Sequence, residues 1–117
     1  MSAYEIPGFV YSAMSEGDIL QFAAVVVNAN GAVEAAGDTV VIDGVAQMPA
    51  ATASPETIRV MQKGITIALA NEDIDAGDLV EVSDTNGRFE TRDTGVTVGR
   101  ALTAAGAAGE LFTLLLY

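Results

Sequence analysis

The run Gly77-Asp78-Leu79-Val80-Glu81-Val82-Ser83-Asp84-Thr85-Asn86-Gly87-Arg88-Phe89-Glu90-Thr91-Arg92 decides the fold class. Asn-Gly between two alternating segments is the strongest short-range hairpin signal, because a two-residue type I′ turn needs positive φ at both central positions. With Asn86 and Gly87 as the loop, Thr85 faces Arg88, Val82 faces Thr91 and Glu81 faces Arg92. Val80, Val82 and Phe89 then share an apolar face, while Glu81, Ser83, Arg88, Glu90 and Arg92 share a polar one. That pattern predicts a half-buried antiparallel pair, apolar inward and charged outward.

Strand and turn signals recur on both sides of this hairpin. Upstream, Glu16-Gly17-Asp18 precedes a β-branched segment, Ile19 to Val27, and a second Asn-Gly lies in Asn28-Ala29-Asn30-Gly31, followed by a short strand through Ala32-Val33-Glu34. Gly37-Asp38 introduces Thr39-Val40-Val41-Ile42, with a tight turn at Asp43-Gly44. Met48 to Pro55 reads as a loop. Ser54-Pro55-Glu56 could start a helix, with Ser as N-cap and Pro at the first position, but Thr57-Ile58-Arg59-Val60 alternates with period two and favours a strand. Gly64 opens another alternating segment, Ile65 to Leu69. The resemblance of Ala36-Gly37-Asp38-Thr39-Val40 to Ala76-Gly77-Asp78-Leu79-Val80 is one device used twice, a Gly-Asp turn feeding a strand, since the spacings do not support a repeat architecture.

Downstream, Thr103 to Gly109 is an Ala/Gly loop or a single helical turn. Leu111 to Tyr117 is apolar on both faces, so it is either a central strand or one that meets another subunit. Residues 1–11 read as an N-terminal arm, interrupted by Pro7-Gly8, whose Tyr4, Ile6, Phe9, Val10 and Tyr11 are too apolar for a free end. The arm packs either on its own domain as an edge strand or on a neighbouring subunit. The predicted fold is therefore all-β, a compact small β-sandwich or barrel-like domain over residues 12–117, with an extended N-terminal arm and at most one short helix.

Composition narrows the function classes. At 117 residues and 12.0 kDa the chain suits one domain, which buries roughly 65% of its unfolded surface. Half the residues are hydrophobic but only 6% are aromatic, so the core must come from Val, Ile, Leu and Ala. Sixteen acids against five bases give a net charge of −11, which repels nucleic acid and suits either a solvated surface or an electropositive protein partner. No apolar run is long enough for a membrane-spanning helix, and Met1 to Gly8 lacks the basic and apolar regions of a secretory signal.

Few constellations that carry chemistry can be assembled. The chain has no His and no Cys, which removes thiolate metal sites, cysteine nucleophiles and most general bases. Asn71 to Val82 fails as a calcium loop, because its sixth position is Ala76 and its twelfth is Val82. No phosphate-cradling glycine loop is present, and Arg100 is expected to pair with an acid of its own domain or across an interface. No cofactor is expected. A hydrolase built on an Asp/Glu pair and a small carbohydrate- or ligand-binding β-module displayed on a larger particle are the rival classes, the latter short of exposed aromatics to stack a sugar upon.

Four pieces carry a family signal: Ile6-Pro7-Gly8-Phe9; Gly44-Val45-Ala46-Gln47 before a Pro; the Gly64 segment leading into Gly77-Asp78-Leu79-Val80; and Val98-Gly99-Arg100-Ala101-Leu102 followed by an Ala/Gly stretch and an apolar C-terminal strand. In this order and spacing they resemble the phage capsid cement, or head decoration, family of small β-rich proteins. The resemblance implies a non-enzymatic structural protein on the exterior of the virion head, made without a signal peptide. It would bind the major capsid protein, form a homotrimer and contact neither nucleic acid nor membrane. Tyr4, Ile6, Pro7 and Phe9 on the arm, with Leu111, Leu115 and Tyr117 on the last strand, are the expected capsid or subunit contacts.

Overall fold

The computed structural model describes residues 6–37, 41–51 and 55–117. Among them the chain forms strands and no helix: β1 (Ile6–Met14), β2 (Ala24–Val27), β3 (Val33–Ala35), β4 (Gly44–Ala46), β5 (Thr57–Leu69), β6 (Leu79–Val82), β7 (Phe89–Thr91), β8 (Gly99–Ala101) and β9 (Leu111–Leu116). They make one antiparallel sheet in the order β3-β2-β4-β5-β9-β8-β6-β7, with β1 paired on β5. The sheet curls into a half-barrel, as the all-β pattern predicts.

The Asn86-Gly87 turn forms as expected, with φ of 50° and 75° and the Arg88 N–H donating to the Thr85 carbonyl at 2.9 Å. The register of the hairpin differs from the simple expectation. Val82 pairs with Phe89 and Val80 with Thr91, because the Ser83 N–H reaches the Arg88 carbonyl and leaves Asp84 and Thr85 as an extra pair in the bend. A shift of two residues preserves the faces, so Val80, Val82 and Phe89 are all buried. The outward face is not uniformly solvated: Ser83 is buried and Glu81 is 1% exposed. The segment after β7 folds back over Glu81, whose Oε1 accepts the Asp93 N–H, while its Oε2 has no hydrogen-bond partner among the described residues.

The same turn closes the curl. The Ala24 N–H of β2 donates to the Gly87 carbonyl at 2.8 Å, so the tip of the β6–β7 hairpin is seated against the other side of the half-barrel. The larger core fills the enclosed space, with Phe89 and Phe112 meeting edge-on at 6.2 Å among Met61, Ala68, Val80 and Leu114. A smaller core on the opposite side of β2 and β4 holds Ile19, Val25, Val33, Ala46, Ile58 and Val60. Consequently β4 buries residues on both of its faces: Val45 joins one core and Ala46 the other.

Three further expectations are adjusted, and an alternative left open for the arm is decided for its described residues. Ile19 to Val27 is not one strand: Ile19 bridges Ala50, Phe22 takes φ 66°, and regular pairing begins at Ala24. Val41 and Ile42 lie outside the strands, while Thr39, Val40 and Ser54 fall outside the described residues. Thr57 to Leu69, read as two segments, is a single strand. The described part of the arm, Ile6 to Tyr11, pairs with β5 of its own domain as the first half of β1.

β5 turns a corner at its middle. Met61 and Thr66 are both buried although strict alternation would place them on opposite faces, and between them Gln62 and Lys63 are consecutive exposed residues. Gly64 sits at the switch with φ 119°, and β1 answers with register shifts around Phe9. The two backbones touch there. A Cβ on Gly64 would lie 2.5 Å from the Gly8 nitrogen, and one on Gly8 would lie 2.8 Å from the Lys63 carbonyl oxygen. Only glycine fits such a bend, which is how a strand rounds a barrel corner.

Candidate interaction surface

Beyond the corner, the inward residues of β5 and β9 are Thr66, Ala68, Phe112, Leu114 and Leu116, all buried. Their alternates therefore point outward. The cross-strand partners define one row on this outer face: Ile6 opposes Ile65, Ile65 opposes Leu115, Leu115 opposes Arg100, and Arg100 opposes Leu79. The Arg92 N–H donates to the Leu79 carbonyl, which adds Arg92 as the sixth member. Directly opposed residues in antiparallel strands share a face. Ile6 (58%) and Leu79 (42%) are exposed, Ile65 and Leu115 half-buried.

The rows alongside extend the apolar character. Leu69 opposes Leu111 toward one end of β9, and Tyr117, whose N–H donates to the Val98 carbonyl, stands at the other. Both Leu111 and Tyr117 are exposed. Thr113 lies on the same face but is buried, and the Thr103 Oγ1 accepts its N–H at 2.8 Å. Thr113 and Glu81 on this face are buried, while Ile6, Leu79, Arg92 and Arg100 of the row are exposed.

Of the expected contact residues, Ile6, Leu111, Leu115 and Tyr117 come together on this surface. Phe9 is exposed but stands beyond the corner, paired with Lys63, its ring 6.3 Å from that of Tyr11. Pro7 opposes Gly64 in the ladder, and Tyr4 lies outside the described residues. Sequence reasoning missed Ile65, Leu79 and Arg92 as members. Ile65 stood in an alternating run whose facing could not be assigned, and Leu79 and Arg92 belong only through cross-strand register.

Arg100 is held by its Nε, which donates to the Gly77 carbonyl at 3.1 Å on the exposed side of the sheet. Tyr11 anchors the opposite flank, its hydroxyl donating to the Asp43 carbonyl at 2.9 Å. Burial, and secondarily the nearby Asp43 charge, raise the Tyr11 pKa above its ordinary value. No cluster of potential metal ligands occurs among the described residues. Among the described residues no helix is long and apolar enough to cross a membrane.

Neither a protein-family model nor a curated protein matches the sequence. The fold, by contrast, has a match among solved structures. The N base of the head fibre gp8.5 of bacteriophage phi29 superposes with a TM-score of 0.77 over 93% of this chain and 95% of that one, at 17% sequence identity. The two chains share the curled all-β fold across nearly their whole length.

Proposed function

We propose that the protein is a structural component of a phage head, bound to the outer surface of the assembled shell, where it stabilises contacts between major capsid subunits. The observation that carries this reading is the match of nearly the entire chain to the N base of a phage head fibre. The sequence resemblance to head decoration proteins points independently the same way. No catalytic role is proposed, since the chain holds no His and no Cys from which the common nucleophile and general-base arrangements are built.

The physical logic is linkage. A protein that binds only the assembled, expanded shell stabilises that state by mass action, and many weak contacts repeated over a lattice suffice. Tyr4, Ile6, Pro7 and Phe9 are assigned to the capsid or a neighbouring copy, and Leu111, Leu115 and Tyr117 to contacts within a homotrimer. The charge of −11 keeps free copies soluble and opposes premature association, because three copies together carry about −33.

The test is co-sedimentation of the full chain with purified heads that lack it. Saturation at a copy number that divides into the icosahedral lattice, with raised resistance of the heads to heat, is the expected outcome. Binding to unassembled capsid subunits as tightly as to heads, or no binding to heads at all, overturns the reading. Deleting residues 1–9 should lower occupancy, and unchanged occupancy would remove the arm from the contact.

A further inference from the structure

We propose that Asn30 is a site of spontaneous covalent modification, losing its side-chain amide through a cyclic imide to become aspartate or isoaspartate, while the identical Asn86-Gly87 pair is protected by the closure of the half-barrel. This goes beyond the function proposed above and does not depend on it.

The chain has two Asn-Gly pairs, Asn30-Gly31 and Asn86-Gly87. Asparagine is a thermolabile residue, and a following glycine, having no Cβ, leaves its backbone nitrogen unobstructed toward the asparagine side chain. The reaction at Asn30 consumes only water. The Gly31 nitrogen gives its proton to solvent and bonds to Cγ of Asn30; the bond from Cγ to Nδ2 breaks, and Nδ2 takes a proton from solvent and leaves as ammonia. Water then opens the five-membered imide. Cleavage between the Gly31 nitrogen and Cγ gives aspartate, and cleavage between that nitrogen and the Asn30 backbone carbonyl carbon gives isoaspartate, with the main chain running through Cγ. Nothing is oxidised or reduced.

The fold separates two pairs that are alike in sequence. To close the imide, the glycine nitrogen must swing out of its turn toward Cγ. Gly31 is exposed, and a Cβ built on it would meet nothing within 4 Å. Its movement gives up the bond from the Gly31 N–H to the Asn28 carbonyl at 3.0 Å and a long contact from the Asn30 Nδ2 to the Glu16 Oε1 at 3.4 Å. Water replaces both at this surface. Gly87 is buried, a Cβ there would lie 2.4 Å from the Ala24 carbonyl oxygen, and its own carbonyl accepts the Ala24 N–H at 2.8 Å. Swinging Gly87 out lifts the hairpin tip off β2 and leaves a buried donor unpaired, which adds to the barrier of the reaction.

The product changes the seam between the end of β1 and β3. Glu16 clamps the turn, with Oε1 toward Asn30 and Oε2 accepting from the Asn28 side chain, while its N–H donates to the Val33 carbonyl at 2.9 Å. A carboxylate at position 30 removes the donor to Glu16, sets a second negative charge beside it, and takes the net charge from −11 to −12, one neutral amide having become an acid.

The test is to hold the folded full chain in mildly alkaline buffer, digest it at acidic pH, and follow both Asn-Gly peptides by mass spectrometry, beside the same chain in concentrated urea and an Asn30→Gln variant. In the folded chain Asn30 should convert at least about tenfold faster than Asn86, equivalent to ~1.4 kcal/mol in barrier. In urea the gap should close. On ion exchange, a species with one added negative charge should accumulate in wild type and be lost in Asn30→Gln. Asn86 converting as fast as Asn30 in the folded chain, an Asn30 that converts only in urea, a gap that persists in urea, or an acidic species that survives Asn30→Gln would each overturn the inference. None of these measurements involves phage heads, so failure of head binding would sink the proposed function and leave this inference standing.

Discussion

Gly87→Ala should be the most damaging single-methyl substitution in the β6–β7 hairpin, and Gly31→Ala is its internal control. Both glycines are left-handed, with φ of 75° and 79°. Placing an L-residue there costs about 1–2 kcal/mol at either site. The surroundings differ completely. A Cβ on Gly31 meets nothing within 4 Å, whereas one on Gly87 lies 2.4 Å from the Ala24 carbonyl oxygen and 3.1 Å from its nitrogen. Accommodating that methyl pushes the hairpin tip off β2 and breaks the bond from the Ala24 N–H to the Gly87 carbonyl. A buried donor left unpaired adds about 1–3 kcal/mol. The expected totals are about 1–2 kcal/mol for Gly31→Ala and about 2–5 kcal/mol for Gly87→Ala, read as changes in the midpoint of urea unfolding with the slope held constant. Equal destabilisation by the two variants would refute the claim that the hairpin tip closes the half-barrel.

Three further outcomes follow from single contacts. Tyr11→Phe removes the bond to the Asp43 carbonyl and should cost about 1 kcal/mol at neutral pH. Because the folded-state pKa of Tyr11 is raised, the neutral phenol binds its proton more tightly in the native state; stability is then full below the ordinary tyrosine range and falls as pH climbs through the folded pKa. Alkaline unfolding monitored alongside phenolate absorbance should show this loss in wild type and less of it in Tyr11→Phe. Glu81→Ala should destabilise by about 1–3 kcal/mol, since it leaves the Asp93 N–H without its acceptor, while Glu81→Gln keeps an acceptor and should change stability by less than about 1 kcal/mol in chemical denaturation. Self-association should rise with salt to about 0.15 M, where screening reaches ~8 Å and mutes the repulsion between acidic copies, and should fall toward 1 M as contact pairs weaken, a maximum that sedimentation can locate.

Local chemistry made the turns legible and long-range packing hid the rest. Asn86-Gly87 announces its turn because two residues suffice to set two positive φ values, and the inward set Val80, Val82 and Phe89 survived a register error of two because side-chain facing has period two. The burial of Glu81 could not be read, since it depends on the segment around Asp93 folding back across the sheet. The two-faced apolar pattern of Leu111 to Tyr117 disclosed a central strand with exposed members, so half of the candidate surface was visible in advance. Arg100, by contrast, stood in a recognisable motif without a role. Its place beside Leu115 and Leu79 comes from two ladders that join segments distant in the chain.

The corner at Gly64 explains why a chain with so hydrophobic a composition carries an apolar row on its outside. Had β5 continued its alternation from Met61, then Ile65, Ile67 and Leu69 would have turned into the core, and Thr66 and Ala68 would have faced solvent. That arrangement satisfies hydrophobic burial better. Instead the backbone takes φ 119° at Gly64, held in place by the close approach of Gly8, and the faces exchange. β1 follows β5 through its own register shifts, which brings Ile6 into line with Ile65 and Leu115. Two glycines thus set which residues of β5 are core and which are surface. Leaving three branched aliphatic residues half-buried where two smaller residues could have stood is costly for an isolated chain, a cost that covering the row with another surface would recover.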